Sequence, residues 1–324
     1  MSNKIIQRIS EQCGVPNILE VLSTRIPLSD LQSLLLEVYR KRVHELSPKD
    51  LMTQYLNNRF TKPAAIKPEQ FWKFDELVQK SLPAQFEMMT LSPLAPLGTN
   101  SVVAPVDQNN IITTIRNTEV CSDNTNVLAL ECAVRRRKML QKERGSRQWV
   151  NLCASQRVVR SQPFEHESVA FAHFQLLGLC TAGRDSGAFS FELKSLKHHL
   201  EFYLKLMKKT SIEGYSCSKI RVTLSAFTES HLVVLKELQE MFISAHDNVT
   251  FEMDQRRQSG RGYYTDAAFQ IWVSNKKNHE YFIVDGGFTD WTQKLLTDRK
   301  ERLLISGMGS ERFIYCFAPN ERGL

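Results

Sequence analysis

Glycine punctuation in the C-terminal part of the chain constrains its fold more than any other feature. Tyr263-Tyr264 is followed by Asp285-Gly286-Gly287-Phe288 and then by Gly307-Met308-Gly309-Ser310-Glu311-Arg312-Phe313. Apolar, strand-like runs alternate with these glycines. The last run places a single arginine, Arg312, on the first turn of an expected helix. Paired glycines let another group approach the backbone without a Cβ clash. That order fits a core that handles a nucleotide.

Composition sets wide bounds. A chain of 324 residues suits one large domain, or one domain with an appendage. A formal charge of +7 is compatible with nucleic acid, and equally with acidic or phosphorylated small molecules. The seven cysteines are scattered, with no CxxC pair. Cys121, Cys132, Cys153 and Cys180 lie in apolar segments, which points to buried thiols in a reducing compartment and to no metal site. The N-terminus, MSNKIIQRISEQCG, is too polar for a secretory signal. No apolar run approaches the roughly 18 residues that a membrane span needs. A cytoplasmic location and no membrane partner are expected.

Residues 1–65 read as a small helical appendage and residues 66–324 as the core. Leu31, Leu34, Leu35 and Val38 form a helical stripe, with Ser29-Asp30 as a candidate cap. Ser47-Pro48-Lys49-Asp50 reads as a helix start. A further amphipathic helix is expected over 68–82, a short strand over Asn110–Thr114, and a helix over Asn126–Lys142. The basic cluster Arg135, Arg136, Arg137 and Lys138 is either a solvated helix end, favoured by the helix dipole, or an RNA contact. Strands are expected over Gln156–Ser161 and Phe171–Thr181, with a polar loop over Gln162–Ala170 between them. Helices over Gly187–Lys209 and His231–Ala245 and strands over Ile220–Leu224, Ala267–Val273, Tyr281–Val284 and Gly307–Gly309 complete the pattern. Antiparallel hairpins mixed with helices imply an α+β fold, an antiparallel sheet flanked by helices. Rossmann and P-loop glycine patterns are absent.

Taken in order, these motifs resemble the catalytic core of class II aminoacyl-tRNA synthetases, closest to the histidyl-tRNA synthetase-like group and its regulatory paralogues. The resemblance covers residues 68–324. Phe71–Leu82, Phe86–Thr90 and Pro93 or Pro96 are similar to the first family motif, which builds a dimer interface. Cys121-Ser122-Asp123-Asn124-Thr125 resembles a segment whose acid holds the substrate amino group. Asp123 either plays that part or caps the following helix. Arg157-Val158-Val159-Arg160-Ser161-Gln162 resembles the second motif, with Arg160 at the position that contacts the α-phosphate and the substrate carboxylate. Phe174 stands where the family stacks an aromatic ring on adenine, and His173 is either a phosphate contact or structural. Gly307, Gly309 and Arg312 match the third motif, whose glycines clear space for adenosine and whose arginine meets the γ-phosphate.

The chain also departs from the family pattern. Leu176 and Cys180 replace a glutamine and a glutamate of the histidine pocket, which favours a smaller or less polar substrate. In Ser259-Gly260-Arg261-Gly262-Tyr263-Tyr264, serine replaces the family's catalytic arginine and Gly262 an aspartate. Arg257 or Arg261 is then the candidate substitute, and Arg261 is taken as catalytic beside Arg160. Tyr263, Tyr264, Gly286 and Gly287 are expected at the substrate, and Phe288 replaces an arginine. The sequence stops eleven residues after Phe313, so no anticodon-binding domain is expected within it.

The resemblance implies ATP with Mg²⁺, an amino acid or similar small acid, and a homodimer. Activation of the acid to an acyl-adenylate is the leading expectation, with a tRNA, a carrier protein or a small amine as acceptor. A non-catalytic regulatory paralogue that senses a ligand or holds a partner enzyme is the alternative. An RNA-binding protein is the third.

Overall fold

Successive side chains of a strand enter opposite faces of its sheet, so a strand covered on both sides must be apolar at almost every position. The run from Leu176 to Ala182 has that character, and every one of its residues is buried. The computed structural model describes residues 3–162 and 171–319. The expected polar loop therefore lies, beyond Gln162, outside the described residues.

Among the described residues four α-helices come first, α1 (Asn3–Cys13), α2 (Ile18–Glu20), α3 (Leu28–His44) and α4 (Pro48–Asn57), with a π-helical turn over Val21–Arg25 directly after α2. Helix α4 starts where the sequence predicts. The Ser47 hydroxyl accepts from the Asp50 amide, the Asp50 carboxylate accepts from the Ser47 amide, and Pro48 fills the first turn. The expected Ser29-Asp30 cap of α3 is not used, because Pro27 stands at that position. No residue of α3 or α4 is buried, and Leu34 and Val38 of the stripe are exposed.

The remaining elements are α5 (Pro68–Ser81), β1 (Glu87–Met88), β2 (Leu94–Pro96), β3 (Thr118–Val120), α6 (Asn124–Lys142), β4 (Val150–Val159), β5 (His173–Arg184), α7 (Ser190–Ile212), β6 (Lys219–Ala226), α8 (Glu229–Ile243), β7 (Val249–Met253), β8 (Ala267–Ser274), β9 (Glu280–Thr289), α9 (Trp291–Leu296), β10 (Glu301–Gly309) and α10 (Ser310–Phe317). Among the described residues, one eight-stranded sheet runs in the order β1-β4-β5-β10-β9-β8-β6-β7. Its six central strands are antiparallel, while β1 joins β4, and β7 joins β6, in parallel. β2 and β3 pair separately.

The two faces of the sheet are filled differently. On one face, Leu304 and Met308 of β10 meet α5, α7, α8 and α10 through Phe74, Leu200, Leu235 and Phe313. On the other, Leu303 and Ile305 meet α6 and α9 through Leu128, Cys132 and Trp291. All four cysteines expected to be buried are so.

Three expectations need adjustment. Asn110–Thr114 is not a strand: a 3₁₀ turn ends at Asn110, and only a single bridge joins Thr113 to Glu119. The helix of the first motif, α5, expected at a dimer interface, buries Phe74, Leu77 and Val78 within the same chain and leaves Trp72 exposed. The basic cluster is solvated only in part: Arg137 and Lys138 are exposed, whereas Arg135 and Arg136 are tied into the protein. Arg136 is fully buried and pairs bidentately with Glu301, with Nε and Nη2 each 2.8 Å from a carboxylate oxygen. Its remaining donors reach the carbonyls of Ser146 and Gln148. Arg135 is tied to Glu87 and Glu131, and Arg137 donates to the Leu295 carbonyl. Arg135 and Arg136 thus tie α6 to strands of the sheet and Arg137 ties it to α9, while Lys138 stays exposed.

Candidate functional site

The site is assembled from the start of α6 outward. Asn124, the first residue of that helix, is buried and donates from Nδ2 to the carbonyls of Ala154 (2.9 Å) and Leu176 (2.8 Å). This contact needs a glycine opposite it. A Cβ on Gly178 would sit 2.3 Å from Asn124 Oδ1. The segment before α6 is braced from the other side by Glu119. Burial alone would raise that carboxyl, but hydrogen bonds from the Asn100 and Gly98 amides, Gln108 and the Asn100 side chain hold it below its ordinary value. Asn100 Oδ1 in turn accepts from Ser122 and Asn126. Glu119, Asn100, Asn124 and Gly178 were not singled out by sequence reasoning. Their signal is a run of buried polar residues around one helix start, which only tertiary contacts make legible.

Asp123 is held between these two braces and does two things. Its Oδ1 caps α6, accepting from the amide and hydroxyl of Thr125 at 2.9 and 2.7 Å. Its Oδ2 meets Arg160 Nη2 at 3.1 Å, while Arg160 Nε donates to the Ser122 carbonyl. The Arg160 guanidinium lies 5.1 Å from the centre of the Phe174 ring.

These groups open onto a cavity of about 610 Å³ on the α6 face of the sheet. Asp123, Arg160, Phe174, Tyr263, Tyr264, Gly307, Gly309 and Arg312 all line it. Gly307 and Gly309 leave clear space. A Cβ on either would find nothing closer than 3.5 Å. Arg312 is half-buried on the wall, and among the described residues it makes no ion pair or hydrogen bond. The neighbouring Glu311 turns the other way, buried, to accept from the Gln175 amide at 3.0 Å and Arg157 at 2.9 Å. His173 is structural: its Nδ1 accepts from Arg157, and its Nε2 faces the Lys62 carbonyl.

Other expected residues lie elsewhere. Arg261 is exposed; its Nε donates to the Arg257 carbonyl and its guanidinium lies 4.8 Å from the Phe227 ring centre, away from the cavity. Gly286 faces the opposite side of the sheet, where a Cβ would come within 2.6 Å of the Phe269 ring. Gly287 makes room for the Tyr264 ring, which a Cβ would meet at 2.6 Å. Both glycines serve packing rather than ligand approach. Phe288 is buried among Phe191 and His231 on that same opposite side, so no charge is missing from the cavity at that position. Cys180 does not line the cavity, although Leu176 does.

One residue that was not expected at the site, Asp285, matters there, together with Arg257, the other candidate for the lost charge. Asp285 lines the cavity, and Arg257, buried behind it, donates from Nη2 to Asp285 Oδ1 at 2.8 Å. Burial raises the Asp285 carboxyl above its ordinary value against the pull of Arg257. Burial also pushes the Tyr263 and Tyr264 phenols well up, so both remain protonated donors near neutrality. Among the described residues no group of three or more His, Cys, Asp or Glu side chains is placed to hold a metal ion.

The fold is similar to the core of class II aminoacyl-tRNA synthetases, a likeness of fold alone that rests on comparison with solved structures. An ATP phosphoribosyltransferase regulatory subunit/histidyl-tRNA synthetase from Bacillus halodurans superposes with a TM-score of 0.56 at 14% identity, over 81% of this chain and 84% of that one. The apo histidyl-tRNA synthetase of S. aureus gives 0.55 at 12%, over 80% and 68%. A protein described as a threonyl-tRNA synthetase of Aeropyrum pernix gives 0.54 at 13%, over 76% of this chain and 59% of its own length. No family model matches the sequence, and no curated protein does. No helix among the described residues is long and apolar enough to cross a membrane.

Proposed function

We propose that the chain uses ATP to activate an amino acid or a related small acid as an acyl-adenylate. The observation that carries this reading is Arg312, a half-buried guanidinium without a partner among the described residues, on a cavity that Gly307 and Gly309 also line. An unpaired cation in such a place is ready for an anion. The base of ATP would lie on Phe174, its α-phosphate at Arg160 and its γ-phosphate at Arg312. Binding would draw Arg160 from Asp123 and leave that carboxylate for the substrate ammonium. The substrate carboxylate oxygen attacks the α-phosphorus, the bond to the bridging oxygen breaks, and pyrophosphate leaves. Positioning and fixed positive charge suffice, with no protein nucleophile. Mg²⁺ would enter with the nucleotide, held mainly by phosphate oxygens.

On this reading residues 66–324 form the catalytic core, 1–65 the appendage, and the working unit is a homodimer. The acyl acceptor is a tRNA, a carrier protein or a small amine. Exchange of labelled pyrophosphate into ATP, screened across the amino acids, tests the reaction. Exchange that depends on one acid supports it.

One observation favours a second reading, that of a regulatory paralogue which binds ligand without turnover. Arg261 faces away from the cavity, and Ser259 and Gly262 bring no charge from the same loop. ATP binding without exchange for any acid would favour this alternative.

A further inference from the structure

Among the described residues the cavity is lined by two carboxylates, and an α-ammonium group needs only one. Asp123 sits beside Arg160 at the Phe174 end. Asp285 projects from β9 beside Tyr264 and Gly260. With ATP bound at Arg160 and Arg312, Asp123 is the natural partner of the α-ammonium. Asp285 then remains for the rest of the substrate.

Asp285 is built in rather than incidental. Arg257 is 4% exposed, and its guanidinium does three things at once: Nη2 meets Asp285, Nε donates to the Ser259 carbonyl, and the plane lies 5.6 Å from the Tyr264 ring centre. The Gly286 amide donates to the same Asp285 oxygen at 3.1 Å. Position 260 requires glycine, because φ is +78° and a Cβ there would lie only 3.1 Å from Arg257 Nη2. A third of the Asp285 side chain, 34%, nevertheless remains accessible. A carboxylate fixed from behind and open in front accepts hydrogen bonds from whatever fills the space.

Resting on the adenylation reading, we propose that Asp285 reads the substrate side chain and selects an acid whose side chain ends in a nitrogen that donates a hydrogen bond, such as an imidazole or an ammonium. Arg257 is its positioning residue. This reverses the expectation of a smaller or less polar substrate drawn from Leu176 and Cys180: Cys180 does not line the cavity, and Asp285 supplies the polarity from a different strand. An apolar side chain would leave the Asp285 carboxylate without a donor, which is the stronger source of discrimination.

Non-hydrolysable sulfamoyl-adenosine analogues of histidyl-, lysyl- and leucyl-adenylate test this without requiring turnover. The histidyl or lysyl analogue should bind at least about tenfold more tightly than the leucyl one, the scale of one hydrogen bond to a charged group. D285N should reduce that preference to within about threefold. D123N should weaken all three analogues alike. Because D285N strands the buried Arg257 charge, the D285N/R257Q pair is measured beside it and should lose the same preference. Equal or tighter binding of the leucyl analogue, or a preference that survives both Asp285 variants, overturns the proposal while ATP still binds. Failure of the wild-type chain to bind ATP removes the adenylation reading and this inference together.

Discussion

Arg312 and Phe313 are adjacent on α10 and belong to different faces of one sheet. Phe313 is fully buried, its ring stacked on Tyr215 and Phe317 and close to Phe74. Arg312 lines the cavity and has no hydrogen bond or ion pair among the described residues. The α5/α7/α8/α10 face is closed by aromatic and aliphatic side chains, so its residues carry stability. The α6 face keeps glycines and charges where it could have kept leucines, so part of it is held open at the expense of packing.

That contrast makes separable predictions. The largest concerns the closed face: Phe313→Ala should cost about 3–5 kcal/mol, seen as a lower denaturant midpoint. A variant as stable as the wild type would show that this face is not the main core.

The next effect depends on pH. His199 is fully buried on the closed face, between Thr181 (2.9 Å) and Ser306 (2.8 Å). Burial lowers its pKa from 6.5 to about 3. The fold therefore holds the neutral ring, and this contribution is complete above the unfolded value of 6.5. As pH falls from there toward 3 the unfolded chain takes up the proton first, and stability drops by up to about 1.4 kcal/mol per unit. Urea titrations at about pH 7 and pH 5 should show His199→Gln losing less than the wild type over that interval. Equal losses would place the titration elsewhere.

The smallest effect is the sharpest comparison. Gly286→Ala pushes a methyl to 2.6 Å from the Phe269 ring and should cost about 1–3 kcal/mol. Gly307→Ala faces the cavity, with its nearest neighbour at 3.6 Å, and should change stability by less than about 0.5 kcal/mol. Thermal unfolding of the two variants under one condition decides between them, and equal losses would contradict the division into a closed and an open face.

The sequence was legible where local chemistry acts alone. Ser47 and Asp50 cap α4 as their spacing requires, and the strand carrying Gly307 and Gly309 runs into a helix that presents Arg312. Motif order also brought Asp123, Arg160 and Phe174 together, although these residues come from three different segments. Long-range pairing was illegible. Nothing near Arg136 in sequence announces Glu301, so a buried ion pair looked like a solvated basic cluster. Nor does the Gly286-Gly287 pair reveal that one glycine faces Phe269 and the other Tyr264. Spacing offered Arg257 or Arg261 as the replacement for a lost charge without deciding between them: Arg261 turns to Phe227, and the inward guanidinium belongs to Arg257. Side-chain direction in an irregular loop depends on what packs around it, and spacing cannot supply that.

The most direct measurement is a calorimetric titration of the wild-type chain and Arg312→Ala with Mg²⁺ and ATP, each checked by thermal unfolding. The wild type should bind, and the variant should bind about ten- to a hundredfold more weakly, as expected for the loss of a charged phosphate contact of about 1.5–3 kcal/mol, with unfolding unchanged. No binding by the wild type, or equal binding by both, would contradict a nucleotide site on the open face.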